Sequence, residues 1–191
     1  MESPAPIGLR SLILGEAACQ TACSSTSKAP SFPKETTTLS IPEALGMRVV
    51  DLVRVDSPVQ IVTKPGALLG FHASAQGKLA LAYGKPHYWE AVTGQPMPRL
   101  TGSTNTDETV LRDQVAKAKQ HVWAVAPEET LPGVNALSAP IFDVANSFAA
   151  TITIAGSVQN IRPEPDGEQI REVCAAARAI STSLGCTEYP E

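Results

Sequence analysis

Basic charge is scarce in this sequence: 15 Lys and Arg stand against 19 Asp and Glu, leaving a net charge of −4 over 191 residues. Nucleic-acid binding needs a concentrated basic excess to neutralise phosphates, so these residues argue against DNA or RNA as the main partner. The nearest approach to a basic cluster, Lys117 and Lys119 around Ala118 behind Asp113, has the pattern of a solvated helix face. Long apolar runs are lacking too. Ser11-Leu12-Ile13-Leu14 is cut short by Glu16, too early for a membrane span or a signal-peptide core. The four cysteines, at 19, 23, 174 and 186, lack the dense spacing of a secreted disulfide scaffold, and no Cys-x-x-Cys or His pair completes a metal set. The expectation is a soluble cytoplasmic protein without metal, cofactor or membrane partner, its cysteines packed as small hydrophobes.

What is present is enough apolar content, 43% of residues, to bury one ordinary core. Residues 7–24 carry Leu9, Leu12, Ile13, Ala17 and Cys23 at helical spacing, and a Ser, Thr and Pro stretch then breaks the pattern. Strands are predicted at 37–41, 48–55 and 59–63, with connections short enough to make them antiparallel. A small-residue helix follows over 74–83 and a short one over 87–92. Asn105 is the predicted cap of a surface helix whose apolar positions are Leu111, Val115 and Ala118. Strand character returns at 122–126, 134–142 and 149–155, the last two as a hairpin. A final helix begins at Asp166, with Gln169 three residues on, and ends at Gly185. About six strands in two groups of three, with helices between and after, imply an α+β fold on an antiparallel sheet.

The run His72-Ala73-Ser74-Ala75-Gln76-Gly77-Lys78 turns this strand-rich half into a helix through small residues. Ser74 is placed to cap the helix, after which Ala75, Gln76 and Gly77 present backbone N–H groups without intrahelical partners. Those donors and the positive end of the helix dipole favour a carboxylate or phosphate, and small side chains let a ligand approach. An ordinary capped helix packed on a sheet explains the same residues.

FHASAQGK at 71–78, VWAVAPEETLPGVNALSAPIFD at 122–143 and TITIAG at 151–156 together resemble segments of the IclR family of bacterial transcriptional regulators. The first is similar to the family's "LHASALGKALLA"-type segment. The second resembles its "GYAVDDEEHxxGxxCIAAPVFD", and the third resembles its "AISISG" strand. They occur in the family's order and spacing. The resemblance implies a GAF-like curved antiparallel sheet with flanking helices, preceded by a linker helix. Residues 1–34 would be that linker helix and a Ser/Pro-rich connector, and residues 35–191 the effector-binding domain. It also implies a small organic acid as effector, assembly into homodimers or homotetramers, and DNA contact only through a winged helix-turn-helix missing here. The sequence then corresponds either to an excised effector domain or to a truncated remnant.

Carried over residue by residue, the family's ligand carboxylate falls on Ser74, Ala75, Gln76 and Gly77. Its apolar wall falls on Val59 and Ile61 of the third strand, or on Pro58 at that strand's start. Ala126 stands where the family commonly has Asp, Ala136 where it has Cys, and Thr153 and Ala155 where it has two serines; Ser138 is a further hydroxyl if it faces inward. Strand alternation puts Thr153 and Ala155 on one face and likewise Ala136 and Ser138. The alanines enlarge the pocket and make it less polar, which points to an aromatic or medium-chain acid. His72, Trp89 and Trp123 are open to ligand contact, though structural roles explain them as well. Glu128 and Glu129 are expected to be solvated loop carboxylates rather than an acid–base pair. No catalytic set is present: a GAF-like enzyme would need a Gly-x-Ser-x-Gly elbow, a metal set or a Cys with a His near it in sequence. A ligand-free dimerisation module is the remaining alternative.

Overall fold

The computed structural model describes residues 35–53 and 63–190. The helix expected at 7–24, the connector after it and nearly all of the strand expected at 59–63 lie outside the described residues, and Ile61 with them. The first two strands, β1 (Thr36–Glu43) and β2 (Gly46–Val53), form a hairpin closed by a two-residue turn. The register shifts opposite Leu39 and Ser40, where β2 carries Val50 as an extra residue, and this bulge bends β2. Past a turn at Lys64-Pro65-Gly66, β3 (Leu68–Leu69) pairs with Met47 and Arg48 at the sheet edge. Among the described residues this is the third strand; of the strand expected at 59–63 only Thr63 is described, and it is in no strand.

Three helices follow: α1 (Ala75–Tyr83), α2 (His87–Thr93) and α3 (Glu108–His121). The cap of α3 is Asp107 rather than Asn105. The Asp107 side chain accepts from the N–H groups of Thr109 and Val110, while the Asn105 side chain accepts from Asp107 N–H. Val122 then ends α3 in the left-handed region at φ 63°. That shortens the next strand, β4 (Ala124–Val125), to two residues instead of the five expected. The hairpin β5 (Val134–Phe142) and β6 (Phe148–Ser157) matches its expected place, as does α4 (Gly167–Ser183) with its Asp166 cap.

The six strands make one antiparallel sheet in the order β3-β2-β1-β6-β5-β4. Its two three-stranded halves meet where β1 pairs with β6, Thr36 opposite Ala155 and Ser40 opposite Thr151. Alternation along the strands gives the sheet two buried faces. One carries Leu39, Leu137, Ala139, Ile141, Ile152 and Ile154 against Val173, Ala176 and Ala177 of α4. On the other, α1 is sandwiched so tightly that every residue from Ala75 to Leu81 is buried, and α3 packs behind it through Leu111, Val115 and Ala118. A fully buried aliphatic side chain contributes about 1.5–3 kcal/mol, and both faces are lined with them. The result is an α+β fold: a curled antiparallel half-barrel with four helices among the described residues.

Candidate functional site

The turn into α1 is built by one hydroxyl. Ser74 Oγ donates to the Gly70 carbonyl at 2.7 Å and accepts from Gly77 N–H at 3.1 Å, so both of its bonding directions are taken. The Gly77 N–H is therefore consumed by the cap, contrary to the expectation of three free donors. Ala75 and Gln76 keep N–H groups with no partner among the described residues. Gly77 has no side chain for a second reason: a Cβ there would stand 2.5 Å from the Cα and the carbonyl oxygen of Phe71. Its smallness admits the preceding turn, not a ligand.

Between this helix opening and the sheet lies a cavity of about 240 Å³. The helix contributes Ser74, Ala75 and Gln76, and the sheet contributes Thr38, Thr153, Ala155, Val134 and Ala136. Ala126, Thr130 and Leu131 form a third wall from the loop after β4, while Ala67 and Leu69 close the edge with Thr63. Leu131 is 47% exposed, so the cavity opens beside it. No described wall residue has an ionisable side chain. Gln76, 3% exposed, offers an amide with no protein partner among the described residues, and the Thr38 hydroxyl is in the same position.

Seven of the predicted positions thus meet around one space: Ser74, Ala75, Gln76, Ala126, Ala136, Thr153 and Ala155. Gly77 lies behind the helix opening. Ser138 sits one strand over, hydrogen-bonded to Thr153 Oγ1 at 2.7 Å, so it orients that hydroxyl from outside the wall. Thr38 escaped sequence reasoning because its place opposite Thr153 depends on the β1–β6 pairing. Asn135 is at the wall too, but its side chain is spent on Ile161 O, Arg162 O and Ala136 N–H, which fixes the entry to β5.

Glu129 corrects the expectation of two solvated carboxylates. It is 3% exposed, and its Oε1 accepts from Lys78 Nζ at 2.5 Å. Burial pulls the Lys78 amine below its ordinary range, against the opposing pull of Glu129. Glu128, by contrast, uses its carboxylate to accept from Gly133 N–H in the loop. His72 is structural: Nε2 meets the Pro98 carbonyl at 3.0 Å, away from the cavity wall. Trp89 donates to Leu81 O beneath Arg112, and Trp123 stacks on His121. Among the described residues no group of three His, Cys, Asp or Glu could hold a metal, and no helix is long and apolar enough to cross a membrane.

A curled sheet whose central strands face a capped helix opening across a cavity of about 240 Å³ defines the α+β class of this domain. The chain belongs to the family of bacterial transcriptional regulator IclR C-terminal domains, whose model matches residues 29–182. The HTH-type transcriptional repressor AllR of Klebsiella pneumoniae is 31% identical over 134 residues, covering 68% of this chain and 48% of that protein. The HTH-type transcriptional regulator BhcR of Paracoccus denitrificans is 27% identical over 151 residues, 78% of this chain and 54% of that one. The chain spans about half the length of these regulators. Among solved structures, the Thermotoga maritima IclR superposes with a TM-score of 0.78 at 22% identity, covering 95% of this chain and 70% of that one. An IclR homologue from Microbacterium hydrocarbonoxydans, solved in complex with 4-hydroxybenzoate, superposes with a TM-score of 0.75 at 22% identity, over 93% and 68% of the two chains.

Proposed function

We propose that the protein is the effector-sensing and oligomerising part of an IclR-type regulator, with residues 35–191 as the sensing domain and 1–34 as linker helix and connector. The effector is a small organic acid with an apolar, aromatic or medium-chain body. One observation carries this: free Ala75 and Gln76 N–H groups at the positive end of α1 open on a cavity walled mostly by Ala, Leu, Val and Thr. A carboxylate there gains about 0.3–1 kcal/mol from the helix end, up to about 2 where partly buried, besides its hydrogen bonds. Leu69, Val134, Ala136 and Ala155 enclose the body, and the Thr38 and Thr153 hydroxyls with the Gln76 amide select its polar substituents. The complex of the Microbacterium homologue with 4-hydroxybenzoate fits this class of ligand.

Effector binding then alters how a homodimer or homotetramer presents a winged helix-turn-helix to DNA in the cytoplasm, and no catalysis is involved. Isothermal titration against benzoate, hydroxybenzoates, hexanoate, octanoate and pyruvate tests the ligand. We expect the aromatic or medium-chain acids to bind and pyruvate to bind weakly. Gln76→Trp, which fills the space, is expected to abolish binding. Uniform absence of binding by the native protein would overturn the sensing role.

A further inference from the structure

The Lys78–Glu129 pair is expensive to bury. Both side chains are nearly sealed, at 3% and 4% exposure, and Lys78 Nζ has only Val125 O at 3.2 Å as its other recorded partner. Glu129 Oε2 is buried with no partner at all among the described residues. Removing two charges from water costs several kcal/mol per ion, and a pair with an orphaned oxygen does not recover that fully. Apolar residues of the same volume commonly stabilise such a position as well or better.

What the pair does achieve is geometric. Lys78 lies on α1 one turn beyond the cavity floor, and Glu129 lies in the 126–131 loop whose Ala126, Thr130 and Leu131 form the third wall. The same loop is tied at neighbouring points. Thr130 Oγ1 donates to Ala73 O at 2.6 Å, just before α1, and Thr104 Oγ1 donates to Glu129 O at 2.7 Å from the segment that leads into α3. Thr101 Oγ1 donates to Glu128 O at 2.7 Å. Among these ties the ion pair is the one between side chains of α1 and the loop. An apolar contact there would be non-directional, whereas a charged hydrogen bond sets both distance and angle.

We infer that Lys78 and Glu129 are positioning residues for the effector cavity, holding the 126–131 loop at a set distance from the opening of α1. This rests on the cavity being the ligand site, as proposed above. The two readings can fail separately, because loop geometry is measurable without ligand.

The experiment compares the native chain with two variants, Lys78→Met/Glu129→Leu and Glu129→Asp, by native-state hydrogen exchange, thermal unfolding and titration with hydroxybenzoate. The double variant removes the charges while keeping volume; Glu129→Asp keeps both charges but shortens the tie by one methylene. For each, amides of 126–134 are expected to exchange at least tenfold faster. Those at the centre of the β5–β6 ladder are expected to keep their native rates and Tm to stay within a few degrees. Hydroxybenzoate affinity is expected to fall about tenfold or more. Native exchange in the loop of either variant overturns the inference, and so does a rise spread evenly over the sheet, which marks a role in global stability only. Should the double variant fail to fold, Glu129→Asp decides alone by the same criteria. If the native chain binds no acid, the effector reading fails, and the exchange rates still decide the positioning role.

Discussion

At the scale of single residues the opening of α1 is governed by what cannot be added. A methyl group on Gly77 would meet Phe71 Cα and O at 2.5 Å and Gly70 O at 2.7 Å, all backbone atoms unable to swing aside. Gly77→Ala is expected to destabilise by about 1–3 kcal/mol in urea unfolding, as overpacked cores do, and to weaken effector binding by tilting α1. Ser74→Ala removes one hydroxyl that serves two backbone groups, and a loss of about 1–2 kcal/mol is expected in the same measurement. Ser74 was legible as a cap from its place before a helical run. The role of Gly77 was legible only in part, since its smallness says nothing of whether a ligand or a backbone segment approaches. A pH effect also belongs here. Hydrogen bonds from Arg48, at 2.7 and 3.1 Å, hold the Glu43 carboxyl below its usual range. The pair's contribution is therefore present above the ordinary carboxylate value of 4.5 and lost as pH falls through the lower folded value. Both side chains are partly in water, so the effect is small: Glu43→Gln is expected to lower Tm slightly at neutral pH and to converge with the native protein in acid, which flattens the acid limb of a Tm-against-pH curve.

At the scale of elements, the starts of α3 and α4 are set by carboxylate caps. Asp166 Oδ1 accepts from Glu168 and Gln169 N–H at 3.0 and 2.8 Å, and Asp107 Oδ1 accepts from Thr109 and Val110 N–H at 2.7 and 3.3 Å. Asp107→Ala and Asp166→Ala are each expected to cost about 1 kcal/mol by denaturant titration, and Asn105→Ala less, because Asn105 braces the cap instead of forming it. The start of α4 and the β5–β6 hairpin could be read from sequence because cap, periodicity and turn residues all lie within a few positions of one another. The two-residue strands β3 and β4 could not: two residues carry no alternation, and their pairing comes entirely from the neighbouring strand. The same limit hid the ion pair. Lys78 and Glu129 are 51 residues apart, and one looks like a surface lysine and the other like half of a solvated acidic loop until α1 is packed against that loop. Thr38 is hidden likewise, since only sheet order brings it opposite Thr153.

At the scale of the molecule, ligand binding and stability are linked. An effector that fits the folded cavity and not the unfolded chain adds about 2.7 kcal/mol at a hundredfold excess over Kd. For a chain of this size that corresponds to a rise of about 5–11 °C in Tm, readable by differential scanning fluorimetry across the acid panel. Gln76→Trp is expected to abolish that rise. A second whole-molecule consequence concerns time. The cavity takes Thr38 from the first strand, Ala75 and Gln76 from the first helix, and Thr153 and Ala155 from the last strand, and it exists only where β1 and β6 lie side by side. Such far-separated partners slow folding relative to a helical bundle, because the long intervening chain must close before the contacts form. On the ribosome, β1 keeps one edge unpaired until Phe148–Ser157 has emerged, so the cavity cannot close before synthesis has passed the last described strand.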